Sequence, residues 1–105
     1  MVIVVFQVEM KDGRGPAYFD IAASLKPELE RIDGFLSVER FESLTTPGRY
    51  LSLSYWRDEE AVTAWREHAK HRAAQMRGKA DIFSDFRISV AEVARDYRLA
   101  DRLAG

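Results

Sequence analysis

Two stretches with helical periodicity lie between four with the two-residue period of strands, and this alternation leaves the chain few folds to adopt. Val2, Val4, Phe6, Val8 and Met10 alternate with Ile3, Val5, Gln7 and Glu9. The first set is wholly apolar and the second half apolar, which suits a central strand covered on both faces. After the turn-forming run KDGRG, Pro16 stands where a helix can begin. Tyr18, Ile21, Ala22, Leu25, Leu29 and Ile32 then recur at spacings of three, four and seven, giving one apolar face. Pro27 falls inside this stripe and costs about 3 kcal/mol in a regular helix, so a kink or break is expected near Lys26. Asp33-Gly34 closes the unit.

Phe35–Ser43 and Tyr50–Trp56 read as strands joined by a hairpin over LTTPGR. In the second, Leu51, Leu53 and Tyr55 alternate with Tyr50, Ser52, Ser54 and Trp56. Residues 79–85 read as a connector. Phe86, Ile88 and Val90 start a last strand, and the apolar phase then slips to Ala91 and Val93. That slip predicts a bulge or an exit from the sheet. The tail over 96–105 is either a short helix, an extension toward a partner or a frayed end.

The second helical stretch, Trp56 to Gly78, holds both tryptophans and both histidines of the chain. Asp58 can cap its N-terminus, and Glu59 and Glu60 sit where the helix dipole favours negative charge. Gly78 supplies the stop, with Arg77 and Lys79 at the negative end. On a wheel with Trp65 at zero, Val62, Ala69, Ala73 and Met76 lie at roughly +20° to +80° and form the apolar stripe. Arg72, His68 and Gln75 fall at roughly −20°, −60° and −80°, and His71 further round at about −120°. Trp65, His68, Arg72 and Gln75 therefore share one edge of the buried face.

Strand, helix, strand, strand, helix, strand is the split βαβ pattern. It predicts an α+β, ferredoxin-like βαββαβ domain over 1–105, with a four-stranded antiparallel sheet and two helices on one face. The other sheet face would carry Ile3, Val5, Tyr50 and Trp56 with no helix left to cover them. An apolar patch of that size is unusual on a soluble monomer. A second copy packed sheet to sheet is the economical cover, so a homodimer is expected.

At 105 residues the chain is one domain, with ordinary hydrophobic and charged fractions of 47% and 31%. A net charge of −1, with arginines interleaved among acids, argues against a nucleic-acid surface. The absence of cysteine removes thiolate nucleophiles and zinc–thiolate sites. The apolar start VIVVF lacks the marks of a signal peptide, and no run approaches membrane-spanning length. A cytoplasmic protein without membrane contact is the expectation.

From the first strand to RISVAEVARDY, the chain resembles the antibiotic biosynthesis monooxygenase (ABM) domain proteins. The resemblance is strongest in YWRDEEAVTAWREHAKHRAAQ, where Trp56 and Trp65 stand nine apart. It implies a dimeric α+β barrel with a pocket between helices and sheet in each subunit. It also implies residues at that pocket. Quinone-forming members match at Trp56, while their asparagine falls on Ser52 and their tyrosine on Val62. Haem-degrading members match at Trp65, but their iron-ligating histidine falls on Gln75. Their first-strand asparagine falls near Phe6, and the chain contains no asparagine at all. A Gln amide does not serve as the imidazole axial ligand of such sites.

Among these groups His68 is the candidate general base, since an unperturbed imidazole titrates near neutral pH; the competing reading is a hydrogen-bonded, half-exposed histidine. Arg72 or Gln75 would stabilise an anion by charge-assisted or amide hydrogen bonds. Trp65, Trp56, Phe6, Ser52, Val62 and His71 are candidate substrate contacts. His68 and His71 lack a third ligand one turn away, so no metal is expected. The expected activity is a cofactor-independent monooxygenase acting on a small aromatic or polyketide-like substrate with O2. The alternatives are a dimeric barrel that binds a small apolar ligand without turnover and, less favoured, a haem-degrading enzyme.

Overall fold

The computed structural model describes residues 1–10, 12–13, 15–75 and 83–104, with side chains described for 1–10, 12–13, 15–69 and 83–101. The elements are β1 (Val2–Met10), α1 (Gly15–Glu30), β2 (Phe35–Glu42), β3 (Arg49–Trp56), α2 (Glu59–Gln75), β4 (Phe83–Glu92) and α3 (Leu99–Ala104). The four strands form one antiparallel sheet in the order β2-β3-β1-β4. This is the expected βαββαβ arrangement, with α1 and α2 on one face and α3 in the tail. Among the described residues no helix is long and apolar enough to cross a membrane.

Pro27 does not break α1, which runs on to Glu30. The proline lies in the last turns, where one hydrogen bond is lost, and Leu29 just beyond it is buried against Val2, Trp56 and Ala61. Burying that leucine is worth about 1.5–3 kcal/mol, which offsets much of the cost of the proline. The chain then tightens, with Ile32 N–H donating to the Leu29 carbonyl at 3.1 Å.

Gly34 has φ +94°, and a Cβ there would lie 2.7 Å from the Cβ of Ala61. Only glycine lets the start of β2 pass this close to the first turn of α2. Next to it, Arg57 pairs with Asp33 at 3.2 Å and with Asp58 at 3.1 Å. Asp58 caps α2 as expected, accepting the Ala61 backbone N–H at 2.9 Å. That bond, helped by Arg57, holds the Asp58 carboxyl below its ordinary value. A carboxyl with a lowered folded value adds stability above its unfolded pKa and loses it as pH falls through the folded one. Asp58→Asn keeps a good cap but cannot titrate. Urea midpoints measured from about pH 5 down to pH 2 should therefore fall less steeply for the variant than for the parent. Parallel curves would detach the cap from acid unfolding.

The register corrects one expectation. The apolar alternation of β3 points Leu51, Leu53 and Tyr55 toward the helices and leaves Tyr50 and Trp56 on the opposite face. The pairs Val2↔Trp56 and Val8↔Tyr50 instead put Tyr50 and Trp56 on the helix face, beside the inward residues of β1. Leu51, Leu53 and Tyr55 join Ile3 and Val5 on the outer face. Both phases of β3 are apolar, so hydrophobicity alone does not choose between them; pairing with β1 does.

β4 also departs from the sequence reading. It begins at Phe83, inside the expected connector, and its pairing with β1 stays regular from Asp85 to Glu92. No bulge lies at Ala91, but the strand leaves the sheet just after it, at Glu92, which is the exit that the slip predicts; the register shift lies at the other end, between Glu9 and Met10. The tail forms α3 at residues 99–104, and the Arg98 N–H donates to the Asp101 carboxylate at 2.9 Å.

Candidate functional site

Cross-strand partners share a face, so the pairings divide the helix side of the sheet into rows. One row runs Val38, Ser54, Val4, Val90; the next runs Arg40, Ser52, Phe6, Ile88; the third runs Glu42, Tyr50, Val8, Phe86. The helices cover these rows unevenly. Val2, Leu29, Trp56 and Ala61 form one buried cluster, with Val4, Val38, Val62 and Trp65 packed on it. Val8 and Tyr18 form a second, with Phe6, Ile21, Tyr50 and Phe83 around it. The middle row lies between the two clusters. Its residue on β3 is Ser52, which stays half-buried although it sits on an inner strand under the helices.

Toward β4 the helix face opens. Phe86, Ile88 and Val90 point to the same side as Val4 and Phe6, yet they are 58%, 57% and 46% exposed. Phe6 lies 6.0 Å from Phe83 and 6.1 Å from Phe86, ring centre to ring centre. These side chains make an apolar strip from the open β4 edge to Phe6, with Ser52 next to Phe6 in register, referred to below as the trough. The sequence shows three apolar residues at period two on the last strand, but it cannot show that they stay exposed.

The expected site residues are distributed as follows. Phe6 and Ser52 are neighbours in the middle row. Val62 and Trp65 are half-buried and pack on the first core cluster. Trp56 is sealed, at 1% exposure, and its indole Nε1–H donates to Ser54 Oγ at 2.8 Å. A ring so enclosed is core and cannot touch a ligand, which corrects its place among the substrate contacts.

His68 lies between the helices. Its ring stacks on Trp65 at 5.6 Å with an interplanar angle of 27°, and its Nε2 is 3.3 Å from a carboxylate oxygen of Glu28 on α1. Glu28 escapes sequence reasoning because nothing in the spacing pairs residue 28 with residue 68. An imidazole held by a carboxylate on one side and an indole face on the other is oriented, and an oriented imidazole can accept a proton. His71, Arg72 and Gln75 belong to the last turns of α2, and their side chains lie outside the described residues.

The profile of the antibiotic biosynthesis monooxygenase family matches residues 1–77. The jasmonate monooxygenase ABM of Pyricularia oryzae is 40% identical over 98 residues, which cover 93% of this chain and 46% of that protein. The uncharacterized protein YqjZ of Bacillus subtilis is 36% identical over 62 residues, 59% of this chain and 53% of YqjZ. The chain thus spans about half the length of these two curated relatives. Among solved structures, the haem degrader MhuD of Mycobacterium tuberculosis, with two haems bound in its active site, superposes with a TM-score of 0.75. Its sequence identity is 23%, with 93% of this chain and all of that one covered, so the likeness is one of fold.

Proposed function

Because the chain belongs to the antibiotic biosynthesis monooxygenase family, we propose that it is a monooxygenase that uses O2 without a cofactor on a small, largely apolar substrate. The observation that carries this reading is the trough. Three large apolar side chains stand open on a sheet face that the helices bury elsewhere. An aromatic or alicyclic molecule laid there would replace water against Phe6, Phe86 and Ile88. The relative from Pyricularia oryzae, named for jasmonate, adds a small carboxylic acid to the quinols and anthrones as candidate substrates.

The chemistry balances on the substrate alone. An activated CH2 loses a proton to a base, and the carbanion gives electrons to O2. Collapse of the peroxide leaves a carbonyl on that carbon, and the second oxygen departs as water. The methylene supplies all four electrons, so no external reductant enters. His68, held by Glu28, is the proposed proton acceptor, and Arg72 or Gln75 the proposed donor to the developing enolate. Haem degradation fits less well, because the position matching the ligating histidine is Gln75 and the chain has no asparagine.

Oxygen uptake tests the reading directly. A panel of anthrones, quinols and jasmonate under 18O2 should give at least one product carrying a single labelled oxygen, with one O2 consumed per substrate. Tight binding across the panel with no uptake would reduce the protein to a ligand carrier.

The outer sheet face supports a homodimer. Ile3, Val5, Leu51, Leu53 and Tyr55 share it, and α1 and α2 pack on the other side. A second copy packed there would bury this surface. Light scattering at low micromolar concentration should give twice the chain mass. Val5→Glu should shift the protein to monomer or aggregate, because it sets a charge among apolar side chains. A parent protein that stays monomeric would show that the face needs no partner.

A further inference from the structure

The middle row of the trough ends on β2 in a cation. Arg40 pairs in register with Ser52, which pairs with Phe6, which pairs with Ile88. The row is therefore a guanidinium, a hydroxyl and then hydrocarbon. At strand spacings of about 4.8 Å, it spans roughly 14 Å from β2 to β4.

Arg40 is exposed, and no carboxylate neutralises it among the described residues. The ion pairs of the arginines run from Arg49 to Glu9 and from Arg57 to Asp33 and Asp58, while Glu42, next on the Arg40 face, is not engaged with it. Its neighbour is Tyr18 of α1, whose ring centre lies 5.9 Å from the guanidinium carbon. The ring of Tyr18 stands 5.7 Å from that of Phe83, and Phe83 in turn reaches Phe6, so the Arg40 end and the aromatic wall are continuous. Burial pushes the Tyr18 phenol above its ordinary value, with the charge of Arg40 pulling the other way.

We propose that Arg40 anchors the carboxylate of a substrate whose apolar body lies along Ser52, Phe6 and Ile88. This rests on the trough being the substrate site, and it narrows the substrate class to apolar monocarboxylates. The guanidinium offers paired N–H donors that match a carboxylate's two oxygens, and the hydrocarbon end of the row selects against a second charge.

Decanoate and methyl decanoate are the probes, titrated calorimetrically into the full chain. Decanoate should bind the parent at least about 10-fold more tightly than the ester, the usual worth of a charge-assisted hydrogen bond. Arg40→Gln should weaken decanoate by about 10–100-fold and leave the ester unchanged, and Arg40→Lys should restore part of the loss. An unchanged thermal melt of Arg40→Gln verifies the fold. The proposal is overturned if decanoate does not bind the parent, if acid and ester bind equally, or if Arg40→Gln weakens both alike. Oxygen uptake separates this from the oxygenase reading. Charge-dependent binding without any uptake retains the anchor and removes the oxygenase; uptake that ignores both substrate charge and Arg40 does the reverse.

Discussion

Trp56→Ala should destabilise the domain by about 3–5 kcal/mol, the range for removing a fully buried large aromatic side chain. The indole is almost wholly enclosed among Val2, Leu29 and Ala61, and Phe35 meets it edge-on at 5.4 Å. It joins β1, β3, α1 and the start of α2, so the cavity would open where four elements meet. Net stabilities of such domains are about 5–15 kcal/mol, so the variant would retain little margin. Trp56→Phe should cost less, since it keeps much of the volume and loses mainly the Nε1–H to Ser54 Oγ bond. Ser54→Ala removes the same bond from the other side and should cost about 1 kcal/mol. Urea unfolding of the three variants gives the ranking. A loss below about 1 kcal/mol for Trp56→Ala would be incompatible with the ring's burial.

His68→Ala should lower turnover by about 10²–10⁴-fold on a confirmed substrate if the imidazole is the base that starts the reaction. Substrate affinity should change much less, because a base contributes mainly in the transition state. The geometry makes the test clean. His68 is half-exposed, and its pairing with Glu28 at 3.3 Å is of the kind worth about 0.2–1 kcal/mol, so the fold should survive its loss. His68→Gln is the sharper variant, because it keeps a polar group opposite Glu28 and stacked on Trp65 but accepts no proton. An undiminished rate with an unchanged pH profile would assign His68 to the contact between α1 and α2. Glu28→Gln should then matter only for stability. If His68 is the base, the same change should also lower turnover, because the carboxylate orients the ring.

The candidate site was less legible than the fold, and particular residues show why. His68 is visible as a histidine on the edge of an amphipathic stripe, but its partner is forty residues away on another helix. Arg40 is visible only as one charged residue in a strand of mixed character. Its meaning comes from standing in register with Ser52 and Phe6, which no spacing within β2 reveals. Phe86, Ile88 and Val90 look like core residues in sequence, and only the structure shows that they stay exposed.

The order of elements, the cap at Asp58, the glycine turn at Gly34 and the inward face of β1 were all legible from the residues alone. Each follows from period, dihedral preference or a local hydrogen bond, which act within a few residues. Tertiary structure decided the facing of β3, the persistence of α1 through Pro27, the sealing of Trp56 and the rows that bring Arg40, Ser52, Phe6 and Ile88 into line. These depend on strand register and on burial against distant elements. A shift of one residue in pairing would turn every side chain of β3 to the other face with no change in its pattern.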